Sequence, residues 1–182
     1  MTIKTENKIY SDVINVTNKA LKLYNFTDWQ VLQLYQPTKL TDIKPTIYVS
    51  YTNTTQRGWQ FRNYSTKNKV YTKTENQYEE LLFQFSALKR RFPTDTVETF
   101  NSKDVLKHIR MYLVDIEKGL KELKTLGYNI YQPSEIQNPE FFDDGDNFNF
   151  MPFFTVIVTT TQSLDSAQAS IDEHTFKTIK GV

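Results

Sequence analysis

Asn101 to Gly127 reads NSKDVLKHIRMYLVDIEKGLKELKTLG. Its apolar residues Val105, Ile109, Tyr112, Ile116, Leu120 and Leu123 recur at steps of four, three, four, four and three, which places them on one face of an α-helix. The spacing predicts a central helix of about seven turns, roughly 38 Å long. Its ends are marked as well. Asn101 or Ser102 can cap the first amides, Asp104 sits in the first turn, and Gly127 follows Leu126 where a left-handed residue closes a helix. Such a stripe must be buried, and strong strand patterns on either side supply a sheet. The chain is therefore expected to be α+β, an antiparallel or mixed sheet built around this helix.

Working outward toward the N-terminus, Tyr78 to Arg91 alternates Glu79, Leu81, Phe83, Phe85 and Ala87 with Leu82, Gln84, Ser86 and Leu88, the period of a long strand. Ile47, Val49 and Tyr51 alternate with Thr46, Tyr48, Ser50 and Thr52 in a second strand, and Trp29 to Tyr35 is a short apolar run closed by Pro37. Glu6 to Tyr24 keeps Ile9, Val13, Val16, Ala20 and Leu23 at helical spacing, which predicts an N-terminal helix packed on the sheet. Toward the C-terminus, Asn129 to Gln132 is a short strand, and Phe153 to Thr161 is a β-branched and aromatic one. These elements make residues 1–162 one expected domain. Ser163 to Val182 is polar and reads as a C-terminal arm or edge strand.

Two segments stand apart from this framework. Residues 53–74 are rich in Asn, Thr and Gln. Their charges, Arg57, Arg62, Lys67, Lys69 and Lys73, are all basic and are interleaved with Trp59, Phe61, Tyr64 and Tyr71. A connection this long needs either a task or pairing as an extended hairpin. The other segment, within residues 133–152, carries Glu135, Glu140, Asp143, Asp144 and Asp146 with no basic residue between Glu135 and Asp146, and four phenylalanines, Phe141, Phe142, Phe148 and Phe150. Two complementary surfaces of this kind suit a head-to-tail contact between subunits, which closes into a ring where the rotation permits, or a pairing within one subunit.

Composition excludes several function classes. The 22 basic and 21 acidic side chains nearly cancel, so overall charge gives no reason to expect nucleic-acid or membrane binding. Cysteine is absent, which removes disulfides, thiol catalysis and thiolate-ligated metals. No apolar run approaches a membrane span, and Met1 to Lys4 does not open a signal peptide, so a soluble protein is expected. The two histidines, His108 and His174, read as surface residues, and the five glycines form neither a nucleophile elbow nor a phosphate loop. Setting Gly145 as the sixth position of a calcium loop puts Phe142 at the third and Met151 at the twelfth, where oxygen ligands are needed. A looser carboxylate site at Asp143, Asp144 and Asp146, a possible metal enzyme, is the weakest reading. The basic aromatic segment 53–73 could bind single strands by phosphate contact and base stacking, which is the alternative to a protein interface.

The succession of patterns, an N-terminal helix, the step Pro45 to Tyr51, a long variable segment, the strand from Tyr78, the central helix, Gly127, Ile130 and Tyr131, and the strand Phe153 to Thr161, resembles the tailed-bacteriophage neck terminator or tail terminator family. The likeness spans residues from about 9 to 180. It implies a structural virion protein, made in the host cytoplasm, with no enzymatic activity, cofactor or membrane partner. Members of that family form a ring, usually a hexamer, that caps the tail tube and joins it to the head connector, with genomic DNA passing through. The expected contacts of the ring, to its own subunits and to adjacent connector and tube proteins, are Arg57, Trp59, Phe61, Arg62, Tyr64, Lys67, Lys69, Glu140, Asp143, Asp144 and Asp146.

Overall fold

A computed structural model describes residues 6–34, 44–67, 70–89, 101–131, 133–142 and 148–168; for 52–67, 70–72, 75, 140–142, 148–150 and 162–168 it describes the backbone alone. The chain runs α1 (Glu6–Leu23), β1 (Gln30–Gln33), β2 (Thr46–Lys67), β3 (Val70–Leu88), α2 (Ser102–Val114), α3 (Gly119–Thr125), β4 (Tyr128–Tyr131), β5 (Glu140–Phe142), β6 (Phe148–Phe150) and β7 (Phe153–Gln168). Five strands form one sheet in the order β1-β2-β3-β7-β4, and β5 and β6 pair by themselves. Within the large sheet only β1 with β2 is parallel, so the sheet is mixed.

The core lies between one face of this sheet and the helices. Ile47 and Val49 of β2, Leu81, Phe83, Phe85 and Ala87 of β3, and Phe154, Val156 and Val158 of β7 are all buried, as the period-two patterns require. Phe85 stacks on Phe154 with centroids 4.9 Å apart. Onto this face α1 brings Ile9, Val13, Val16 and Ala20, and α2 brings Val105, Leu106, Ile109 and Leu113. Leu23, expected on the stripe of α1, is half exposed, and Leu21 is buried instead. The reason is local. Asn25 adopts φ 60°, and the Phe26 amide donates to the Leu21 carbonyl while that of Asn25 donates to Lys22. This left-handed closure turns the chain inward at Phe26.

The central helix expected over residues 101–127 is two helices. Its start is as read: the Asn101 side chain accepts from the Asp104 amide at 2.9 Å. Its end is as read too, with Gly127 at φ 78°. Between them the helical path stops at Asp115, whose ψ is 119°. The Asp115 carboxylate accepts from the Glu117 amide at 2.9 Å, offering the backbone a turn in place of a helical bond. That bond, with help from Lys118 and against an opposing effect of burial, holds its carboxyl below the usual range. Lys118 then takes φ −119° and ψ −105°, and α3 starts at Gly119. The break removes Ile116 from the apolar stripe and leaves it 70% exposed. Leu123 stays buried, while Leu120 is half-buried.

Candidate functional site

Segment 53–74, open in the sequence between loop and hairpin, lies in β2 and β3 except for its tip. The two strands pair antiparallel from Thr46 opposite Leu88 out to Lys67 opposite Val70. β7 follows on the other side of β3, out to Gln168 opposite Tyr71. It passes without interruption through the expected boundary at 162, so residues 163–168 belong to a strand; 169–182 lie outside the described residues. The flanking strands are short. β1 ends opposite Val49 and β4 ends opposite Thr160. Beyond those points three strands continue alone, over 57–67, 70–78 and 161–168. We call this ribbon the blade. By strand rise the β3 part extends roughly 27 Å.

The root of the blade is fixed by α1. The Tyr10 hydroxyl donates to the Val49 carbonyl at 3.2 Å and accepts from the Tyr51 amide at 2.8 Å, taking over the β2 edge where β1 stops. Tyr51 in turn donates from its hydroxyl to Glu6 at 3.0 Å. Tyr10, Tyr51 and Phe83 meet edge-on or tilted at 5.4 to 6.2 Å. Just outside this cluster the β2 register slips between Tyr51 and Asn53, and again between Arg57 and Phe61. Such bulges bend a strand and shift its alternation.

Register places each expected blade residue. Arg57 stands opposite Tyr78, Phe61 opposite Asn76, Arg62 opposite Glu75, Tyr64 opposite Lys73, and Lys67 opposite Val70. Trp59 falls in the second bulge, and Lys69 lies outside the described residues. Sequence reading counted only the basic arm. The structure adds β3 and β7, and with them Glu75, Glu79, Glu80 and Asp165. The free ribbon itself holds the acids Glu75 and Asp165 against the bases Arg57, Arg62, Lys67 and Lys73, and Glu79 and Glu80 stand at its root. Arg57 lies at the root, one position from the Gln56–Glu79 pair, Arg62 stands opposite Glu75, and Lys67 lies at the tip. Cross-strand opposite charges of this kind support pairing within the ribbon.

The acidic segment lies at the other end of β7. Residues 133–137 run beside that strand, with the Ser134 amide donating to Thr155 at 2.8 Å and Gln137 bridging to Phe153. Arg110 of α2 holds them, donating to the Ser134 carbonyl at 2.9 Å and lying 3.6 Å from Glu135. The chain then enters the β5–β6 hairpin, where Glu140 stands opposite Phe150. Asp143, Asp144 and Asp146, in the connection between these strands, lie outside the described residues. The hairpin and the blade root are thus separated along β7 from Phe153 to Thr161, about 26 Å by strand rise.

A third feature left no motif in the sequence. Between the end of α1 and the α2–α3 break lies an open cleft of about 630 Å³, lined by Lys19, Lys22, Leu23, Tyr112, Glu117, Lys118, Lys121 and Glu122. Glu122 ties three helices together, accepting from Lys19 at 2.7 Å and from the Tyr112 hydroxyl at 3.1 Å. Burial, then this carboxylate, pushes the Tyr112 hydroxyl up to about 12. Elsewhere on α1, the Tyr128 hydroxyl donates to Asp12 at 2.8 Å, and Lys8 donates to the other oxygen at 2.6 Å. Burial and then Asp12 push Tyr128 well above the usual phenol range. Gly119 allows the close approach of α3 to the end of α2. A Cβ there would lie 2.5 Å from the Tyr112 carbonyl oxygen and 2.9 Å from the Leu113 Cα. A glycine inside a helical pattern was the available signal. His108 is structural: its Nδ1 is 2.8 Å from the Asp104 carbonyl and its ring packs edge-on against Tyr24 and Phe26. His174 lies outside the described residues.

Outside the core, the described residues present strand edges, a charged ribbon and a separate two-stranded hairpin. A family model described as the E217 gateway protein gp29 matches residues 8–170. The chain belongs to this family of phage gateway proteins, which are structural and non-enzymatic. Among solved structures it is similar to the sheath/tube terminator of an extracellular contractile injection system, PVC, in the extended state. That match has 11% identity and a TM-score of 0.47, and covers 93% of this chain and 60% of the other. The chain thus spans less than two thirds of that protein's length. No curated protein matches it.

Proposed function

We propose that this gateway-family protein is a subunit of a ring at the phage neck, six copies round, that ends the tail tube and joins it to the head connector while the genome passes through. The observation that carries the reading is the blade. A three-stranded ribbon standing beyond the helices has little core of its own, and among the described residues its β2 and β7 edges pair with no further strand. Natural proteins leave such edges where another chain covers them. Membership of the gateway family supports a place in the virion. The blade residues Arg57, Trp59, Phe61, Arg62, Tyr64, Lys67 and Lys69 contact a neighbouring subunit, the connector ring or the tube. The acidic hairpin, with Glu140, Asp143, Asp144 and Asp146, makes the other contact.

The charge balance of the blade bears on DNA. Each phosphate that a protein neutralises adds salt-dependent affinity, and a channel that holds the genome tightly would oppose ejection. A ribbon whose four described bases stand beside Glu75 and Asp165, with Glu79 and Glu80 at its root, suits a protein partner better than a phosphate backbone. The separation of hairpin from blade root along β7 favours contact between subunits over pairing within one. Native mass spectrometry of the full chain, with negative-stain images, tests the reading. Six-fold rings, alone or on added tail tubes, are expected. A chain that stays monomeric at high concentration and in the presence of tubes would refute it.

A further inference from the structure

We infer that the outer β2 edge of the blade takes the β7 edge of a second copy of this chain as an added parallel strand, so that neighbouring blades join into one sheet. The inference rests on the ring reading above and names the contact by which that ring closes.

The hydrogen bonds at the body of the sheet fix which backbone groups the two edges offer. On the side of β7 away from β3, the Phe153 amide and carbonyl bond to Gln137, and the Thr155 carbonyl accepts from the Ser134 amide. Successive residues of a strand turn these groups to alternate sides, and β7 pairs with β3 out to Gln168 without a register shift. Ser163, Asp165 and Ala167 therefore turn their amides and carbonyls outward. Leu164, Ser166 and Gln168 face β3, opposite Glu75, Lys73 and Tyr71. That leaves Thr72, Thr74 and Asn76 facing β2, where they stand opposite Ser65, Asn63 and Phe61. On β2 the groups of Arg62, Tyr64 and Thr66 thus point outward. Among the described residues no strand lies beyond either stretch. Toward the root the β2 edge is already closed, because Tyr10 bonds to the Val49 carbonyl and the Tyr51 amide.

The two edges match in direction, level and charge. β2 and β7 are both antiparallel to β3, hence parallel to each other. Rotation about an axis along the blade brings the β2 edge of one copy to the β7 edge of the next in that same sense. The stretches stand level across β3, with Arg62 in line with Leu164 and Tyr64 with Ser166. A closed ring has no rise from copy to copy, so they overlap where copies meet. From 53 to 67 the β2 strand carries Arg57, Arg62 and Lys67 and no acid, whereas from 161 to 168 β7 carries Asp165 and no base. Two β2 edges would set base against base, which disfavours a two-fold pairing. Strand addition draws its affinity from main-chain bonds, which suits strands as rich in Asn, Thr, Ser and Gln as these. A segment of another protein would use one edge. A second copy uses both.

Proline at an outward position of an edge strand deletes a donor to the neighbour and spares the bonds to β3. Full-length chains carrying Arg62→Pro with Thr66→Pro, which blocks the β2 edge, or Ser163→Pro with Ala167→Pro, which blocks the β7 edge, are compared with the unaltered chain by native mass spectrometry, with and without added tail tubes. Each block should leave circular dichroism unchanged and lower the assembled fraction about tenfold, as loss of two backbone hydrogen bonds per contact predicts. Mixed in equal amounts, the two blocked chains should give heterodimers and no rings, since one open edge of each kind remains.

Because the chain has no cysteine, disulfide trapping tests the same contact without proline. Phe61→Cys, Asn63→Cys, Ser65→Cys and Lys67→Cys chains are each mixed with Thr161→Cys, Ser163→Cys, Asp165→Cys and Ala167→Cys chains and oxidised under assembly conditions. Linked heterodimers are expected, and moving the β2 cysteine two residues toward the C-terminus should move the best β7 partner two residues the same way. A best partner that moves the opposite way, a dominant link between two β2 cysteines, or no link in any mixture would overturn the inference. Closed rings with neither the link nor the proline effect would sink only this contact. The link in open chains without rings would sink only the ring reading.

Discussion

Replacing Gly119 with alanine should destabilise the protein, although the sequence alone predicts the opposite sign. In one continuous helix from Asn101 to Gly127, Gly119 would be an interior glycine, and alanine would stabilise by about 1 kcal/mol. In the structure Gly119 starts α3 where it crosses the end of α2. An added Cβ would meet the Tyr112 carbonyl oxygen at 2.5 Å, the Tyr112 Cδ1 at 2.8 Å and the Leu113 Cα at 2.9 Å. Carbon atoms rest roughly 3.5 to 4 Å apart, so α3 must retreat by about 1 Å. Two of the three obstacles are backbone, and trimming the Tyr112 ring cannot relieve them. Overpacking of this kind costs about 1 to 3 kcal/mol, and the backbone contacts put Gly119→Ala near the upper end. For a chain of this size that lowers the melting temperature by roughly 5 to 10 °C. Urea unfolding followed by circular dichroism, with the slope unchanged and the midpoint lowered, reads the same quantity. An unchanged or raised midpoint would refute the crossing of α2 and α3 described here.

Further outcomes follow from the same packing. Ile116→Asp, at a position the sequence pattern puts in the core, should shift stability by no more than about 0.5 kcal/mol. Leu123→Asp, one helix turn past the break and 1% exposed, should leave no cooperative unfolding transition by circular dichroism. Tyr128→Phe removes the hydroxyl that donates to buried Asp12 and should cost about 1 to 3 kcal/mol in urea unfolding. The phenols of Tyr112 and Tyr128 are held above their unfolded value of 10.0. The folded state therefore keeps protons that the unfolded state releases. Their contribution is full below pH 10 and declines as pH rises toward about 12 for Tyr112 and beyond that for Tyr128. Tyr112→Phe should flatten the fall in urea midpoint between pH 10 and 12. Reversing charge at Arg57 and Arg62 should leave circular dichroism unchanged and reduce the assembled fraction by analytical ultracentrifugation.

The alternation of Ile47 to Tyr51, of Leu81 to Ala87 and of Phe154 to Val158, with the helical spacing of α1 and α2, was enough to name an α+β fold. Those residues face one core at a fixed period, and period is a property of sequence. Asn101 and Gly127 were legible for a similar reason, since caps act within a turn. Four things needed tertiary structure. The break at Asp115 to Lys118 follows from a side chain competing with the backbone and from a close helix crossing at Gly119, neither of which alters the apolar spacing. The blade strands past Tyr51 lost their alternation at two bulges, so their pairing became visible only through register. The partial offset of charge across the blade arises because β3 and β7 bring Glu75 and Asp165 alongside the basic residues of β2. The cleft joins Lys19 and Lys22 to residues about a hundred positions away, and only the folded helices put them together.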